Sequence, residues 1–135
     1  MTFEPGSLLG VGAACALVLA LAEGAHRLFG IAPEWTRKLT HVLMGLIACA
    51  FPWILPHGPS VFLLCAVFAV ILGVSRRSSA LPSVHGVDRR TAGALWFPLA
   101  VAIVSWAARG RPDRHVAALL VLTLADPAAA IVGRA

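Results

Sequence analysis

The chain has 135 residues, 59% of them hydrophobic and 13% charged, with a mean hydropathy of +0.87. A fold this small keeps much of its surface exposed, and 11 Lys+Arg with 6 Asp+Glu cannot clothe that surface for water, which excludes a soluble globule. The same hydrophobicity excludes disorder. The net charge of +5 does not point to nucleic acid, because the arginines sit in short clusters between apolar runs without interleaved aromatics.

What remains is an all-α, polytopic transmembrane helix bundle, a single domain over residues 1–135 with about five membrane segments. Pro5 to Ala22 contains no Asp, Glu, Lys or Arg, and its 18 residues at ~1.5 Å each make roughly 27 Å of helix, close to a bilayer core. No Lys or Arg precedes it, so it lacks the positive start of a cleaved signal peptide and is expected to stay in the protein. A second tract without Asp, Glu, Lys or Arg, Leu39 to Ser75, is too long for one crossing. Pro56-His57-Gly58-Pro59 cuts it, which predicts a helical hairpin of Leu39 to Leu55 and Ser60 to Val74. Thr91 to Ala108 makes a fourth span, ended by Arg109-Gly110-Arg111-Pro112. A fifth starts at Val116. Cys15, Cys49 and Cys65 lie inside apolar runs without metal-ligand spacing and read as packing residues.

The connection after span one carries Arg27, Arg37 and Lys38, the hairpin turn no Lys or Arg, and the loop from Ser75 to Arg90 four arginines. The two basic loops fall on one side by parity, which places them in the cytoplasm and the N-terminus outside. The three arginines between Arg109 and His115 run against that assignment.

Asp126 follows only ten residues after Val116, at membrane depth. A carboxylate at the centre of a spanning helix costs about 2.5 to 3.5 kcal/mol on insertion scales, so it normally faces a cavity and serves a function. Proline disfavours helical backbone in the residue before it and suits the first position of a new helix. Asp126-Pro127 therefore predicts that the last segment is broken there, with Asp126 as N-cap and the new helix start offering backbone N–H groups to a phosphate. The small residues Ala128, Ala129, Ala130 and Gly133 suit close approach of a ligand or of another helix.

Two basic groups complete the candidate site. Arg37, Lys38 and His41 share one face at the head of span two, since residues three and four apart are neighbours on a helix. They read as a phosphate grip, although the two cations also suit membrane anchoring and a single histidine suits a bond to a backbone carbonyl. Arg89, Arg90, Thr91 and Gly93 lead into span four, where guanidinium forks can clamp polyphosphate oxygens. Arg76 and Arg77 read as anchors. There is no G-x-x-x-x-G-K-[ST] loop, protein-kinase signature, G-x-S-x-G elbow or H-E-x-x-H, so the usual nucleotide and hydrolase folds are excluded.

Arg37-Lys38-x-x-His41, Arg89-Arg90-Thr91-x-Gly93-x-x-Trp96-Phe97-Pro98 and Ala125-Asp126-Pro127-x-Ala129-Ala130-x-x-Gly133-Arg134 stand in this order along the chain. In order and spacing they resemble motifs of the dolichol, phytol and CTP-dependent diacylglycerol kinases. That resemblance implies a multi-pass enzyme of the cytoplasmic membrane, bacterial by its Ala- and Arg-rich composition. It would move the terminal phosphate of CTP or another nucleoside triphosphate onto a prenol, phytol or diacylglycerol hydroxyl with Mg²⁺. It implies Asp126 as the metal-holding or alcohol-orienting catalytic residue and His41 as a phosphate or proton contact. Arg37, Lys38, Arg89, Arg90, Thr91, Gly93, Gly133 and Arg134 would bind the nucleotide's phosphates. Members of that family continue through further spans, so residues 1–135 are expected to be the N-terminal portion of a longer domain or a shortened relative working as a homo-oligomer.

Two other readings stand beside it. Pro82-Ser83-Val84-His85-Gly86-Val87-Asp88-Arg89 resembles part of the phosphatidate cytidylyltransferase motif, without its lysine-bearing portion. A non-catalytic membrane subunit or transporter half would use Asp126 in helix packing or ion relay.

Overall fold

The computed structural model describes residues 5–55, 58–78, 80–85 and 93–132, with backbone alone at Gly93, Asp126, Ala130 and Ile131. Among these residues every regular element is a helix. Five are long: α1 (Pro5–Phe29), α2 (Pro33–Cys49), α4 (Gly58–Ser78), α6 (Gly93–Ala107) and α7 (Pro112–Val132). Two are single turns, α3 (Phe51–Ile54) and α5 (Pro82–His85). The punctuation follows local chemistry. Gly30 and Gly110 take left-handed φ values of 65° and 74° at the ends of α1 and α6, a backbone that glycine adopts without steric cost. Proline stands at the first position of α2 and of α7, where its missing N–H is no loss.

The long helices alternate in direction. Their central contacts join Val11 and Cys15 of α1, Ala48 of α2, Leu64 of α4, Val101 of α6 and Leu119 of α7 in one core. α4 packs chiefly on α6, and α2 lies between α1 and α7. Large apolar side chains also point outward on each long helix, including Leu17, Leu46, Val70, Trp106 and Val121. α1 and α4 are long and apolar enough to cross a membrane, and Ala94–Ala107 is a shorter apolar helix. α2 and α7 are less uniformly apolar because α2 opens with Glu34, Arg37 and Lys38 and α7 carries Asp113, Arg114 and Asp126.

Boundaries and pairing differ from expectation. α1 runs on to Phe29, α4 spans Gly58–Ser78, and the expected span from Leu39 to Leu55 is divided, with α2 ending at Cys49 and α3 a separate turn. The expected hairpin of spans two and three does not pack as a pair, because α4 lies on α6. α2 begins at Pro33, six residues before Leu39, so the basic triad lies inside the helix and not at its entry. The larger correction concerns α7, which runs unbroken from Pro112 to Val132 with Pro127 in its interior. Asp126 is therefore not an N-cap, and no helix start offers free N–H groups to a phosphate there. The reason is tertiary. Proline removes one i→i−4 bond and crowds the carbonyl of Thr123, a loss that neighbouring helices can offset in an apolar setting. Here the turn before it is pinned to α2, with Thr123 wholly buried and the Leu122 carbonyl bonded by His41.

Candidate functional site

One end of the bundle gathers the acidic and basic residues of α1 and α2. Alternation brings together there the C-terminal ends of α1, α4 and α7, the N-terminal ends of α2 and α6, and α5. In the second turn of α2, Lys38 is only 7% exposed. Its Nζ lies 3.5 Å from Glu34 Oε1 and 5.0 Å from the centroid of the Trp35 ring, with no hydrogen-bond partner among the described residues. Arg37 Nη2 approaches the same Glu34 oxygen at 3.5 Å, and Arg37 Nε is buried without a partner among the described residues. A buried charge is costly unless paired and hydrogen-bonded. Two cations that share one carboxylate oxygen are paired only in part, and the cluster keeps donors available for an anion.

His41 stands one turn further along α2. Its ring meets Phe97 of α6 edge-on at 4.8 Å, and its Nε2 lies 3.2 Å from the Leu122 carbonyl of α7, to which an Nε2–H donates. The histidine thus joins three helices and makes the backbone bond that a lone histidine on an apolar face suits.

The α2–α7 contact fixes a register. His115 Nε2 reaches the Ala48 carbonyl at 3.0 Å, Thr123 packs on Gly45, and His41 meets Leu122. From His115–Ala48 to His41–Leu122 the contacts descend α2 by seven residues as they ascend α7 by seven, and the Thr123–Gly45 contact lies along the same seam. Continued by one turn, this antiparallel register sets Lys38 at the level of Asp126 on the neighbouring helix. Asp126 is thus on the same end of the bundle as Arg37 and Lys38, six residues before the end of α7. Gly93 is the first residue of α6, also at this end. Arg89, Arg90, Thr91, Gly133 and Arg134 lie outside the described residues. Among the described residues no three His, Cys, Asp or Glu side chains form a metal cage. Magnesium bound through substrate phosphates needs only one or two carboxylates.

A second polar group escaped the sequence reading. Glu23 of α1 pairs with Arg27 and accepts the Ser83 N–H at 3.2 Å. Thr36 of α2 donates to the Ser83 carbonyl at 2.8 Å, and Arg27 Nη2 donates to the Ala80 carbonyl at 3.3 Å. Ser75 of α4 gives its hydroxyl proton to the Leu72 carbonyl and contacts His85 Nε2 at 3.0 Å. Burial, and then the charge of Arg76, push the His85 pKa below its ordinary 6.5. The knot clamps α5 from three helices and so fixes the chain immediately before the segment that carries Arg89 and Arg90. Glu23 and Arg27 were legible as an i,i+4 acid–base pair. Thr36, Ser75 and Ser83 follow no spacing that marks them.

Compared with known proteins, the chain is 31% identical over 120 residues to the phytol kinase of Synechocystis sp. (strain ATCC 27184 / PCC 6803 / Kazusa), an alignment covering 87% of this chain and 51% of that protein. The chain spans about half the length of the relative it matches. No family model and no solved structure matches it. The chain is a distant homologue of a protein named phytol kinase.

Proposed function

We propose that the chain forms the phosphate-handling part of a multi-pass membrane kinase that moves the terminal phosphate of a nucleoside triphosphate, CTP in our reading, onto a lipid alcohol of the phytol or prenol type. The observation that carries this reading is the α2–α7 register, which sets Asp126 level with the buried, incompletely paired Lys38. The likeness to a phytol kinase supports the acceptor class. The outward apolar side chains of the long helices suit lateral arrival of such an alcohol from lipid.

Phosphoryl transfer demands positioning and charge neutralisation more than covalent help from the protein. The alcohol oxygen forms a bond to the terminal phosphorus as the bridging oxygen bond breaks and CDP leaves, while the hydroxyl proton passes to a protein base. In our assignment Arg37 and Lys38 neutralise phosphate oxygens, with Arg89, Arg90, Thr91, Gly93, Gly133 and Arg134 around the polyphosphate. Asp126 orients the alcohol or holds Mg²⁺, which when bound supplies further neutralisation of phosphate charge. His41, with Nε2–H committed to Leu122, keeps Nδ1 to accept the proton. The site would face the cytoplasm.

The test is transfer of labelled terminal phosphate from CTP to phytol, a prenol and diacylglycerol by purified protein in lipid nanodiscs. Asp126→Ala is expected to lose about 100-fold or more of the rate. Equal rates for wild type and Asp126→Ala would remove Asp126 from the mechanism. Release of pyrophosphate instead of CDP would replace the kinase reading with nucleotidyl transfer.

A further inference from the structure

We propose that Glu34 is a resident counter-ion, seated between Arg37 and Lys38 where a phosphate of the substrate binds, and that it competes with that phosphate. The inference rests on the reading of α2 as a phosphate grip. One oxygen, Glu34 Oε1, lies 3.5 Å from both Arg37 Nη2 and Lys38 Nζ. Charge-assisted bonds between such groups are ordinarily about 2.7–2.9 Å, so each cation is neutralised at a distance and neither is saturated. Lys38 Nζ and Arg37 Nε, both buried, retain unused donors.

A phosphate carries more charge than a carboxylate and offers oxygens in three dimensions, so it can engage the ammonium and the guanidinium together. Glu34 can yield its place. It stands in the first turn of α2, where an acid is favoured by the helix dipole, and its side chain is 23% exposed, against 7% for Lys38, which leaves a path outward. The arrangement has a plain physical use. Without the carboxylate, Lys38 would be a buried ammonium stripped of its one ion-pair partner among the described residues. With it, the protein stays stable at the cost of weaker phosphate binding.

The sign of the effect separates this role from ordinary packing, because removing a competitor strengthens binding whereas damaging a site weakens it. The probe is inorganic pyrophosphate, titrated calorimetrically into the full chain in nanodiscs. Glu34→Gln is expected to bind pyrophosphate up to about fivefold more tightly than wild type, the upper range for a partly exposed ion pair. It should also unfold at lower temperature without pyrophosphate and recover with it. Glu34→Asp, whose shorter arm withdraws the charge but keeps it, is expected to tighten binding by less, and it stands as the test if Glu34→Gln does not fold. Adding Lys38→Met to Glu34→Gln is expected to erase the gain. Unchanged or weaker pyrophosphate binding by a folded Glu34 variant would overturn the proposal. If binding tightens while wild type transfers phosphate to no alcohol, the counter-ion role stands and the kinase reading fails. If transfer occurs and binding does not tighten, only the counter-ion role fails.

Discussion

Lys38, the single lysine of the chain, shows how a residue can weigh against stability and still be explained. A buried ammonium with a long ion pair and no hydrogen bond is worse for the fold than an apolar side chain of similar length. Lys38→Met is accordingly expected to keep or raise the unfolding temperature in lipid while abolishing the proposed phosphate transfer. A large loss of stability would show that the ion pair with Glu34 holds the helix together. His85 gives a pH test. Its folded pKa lies below 6.5, chiefly through burial, so folding favours the neutral ring. Stability from this group is fully present above pH 6.5 and is lost as pH falls through 6.5 toward the lowered folded value. Melting curves of wild type should therefore drop on acidification across that window more than those of His85→Gln, which cannot take up the proton. Parallel curves would mean that His85 does not couple to folding. Neither residue's setting was legible beforehand. The sequence places Lys38 beside Arg37 and His41, but its burial depends on how α2 leans on its neighbours, and the Ser75–His85 contact depends on how the chain folds back after α4.

At the scale of elements the decisive contact is α2 against α7. A Cβ added at Gly45 would lie 2.8 Å from Thr123 Cβ and overlap the Thr123 hydroxyl. Alanine is favoured over glycine inside a helix by about 0.8–1 kcal/mol, while overpacking a tight contact costs about 1–3 kcal/mol. The second effect wins here because the atom in the way is Cβ, which moves only with its helix. Gly45→Ala is expected to destabilise the protein by about 1–2 kcal/mol in detergent unfolding, and Gly45→Ala with Thr123→Gly to recover most of it. A Gly45→Ala variant as stable as wild type would contradict the close crossing. The same contact explains why reading Asp126-Pro127 locally failed. Backbone preference predicts a break there, and the packing of Thr123 and Leu122 on α2 carries the helix through it. Pro127→Ala restores an N–H to the turn and should stabilise α7 by part of the ~3 kcal/mol by which proline disfavours a helix interior. A drop in stability would return the broken helix to consideration.

For the whole molecule, composition and Pro/Gly punctuation made the helical class and four of the long helices readable, since burial of apolar surface dominates both. The pairing was not readable: the expected hairpin of spans two and three does not pack as one, since α4 lies chiefly on α6 and α2 between α1 and α7. The end of the bundle at which Asp126 sits was readable only in part. A count of ten residues from Val116 puts it at mid-membrane, but α7 starts at Pro112 and the register with α2 moves Asp126 toward the end that bears Arg27, Arg37 and Lys38. This up-and-down order keeps the parity used in charge counting, with the arginines around the start of α7 on the end opposite Arg76 and Arg77. Arg77 lies in the last turn of α4 at the end where α5 is clamped, whereas Arg114 lies in the first turn of α7, by Ala108–Gly110 and the start of α4 that Arg109 overlies. If the bundle spans a bilayer, the two exposed arginines lie on opposite faces of it. With Cys15, Cys49 and Cys65 replaced by alanine, Arg77→Cys and Arg114→Cys should each react with a membrane-impermeant maleimide from one side only, and from opposite sides. The positive-inside tendency predicts Arg77→Cys on the cytoplasmic side, the side where a nucleotide is available. Labelling of both from the same side would break the alternation of the helices, and with it the shared end that brings Asp126 to Lys38.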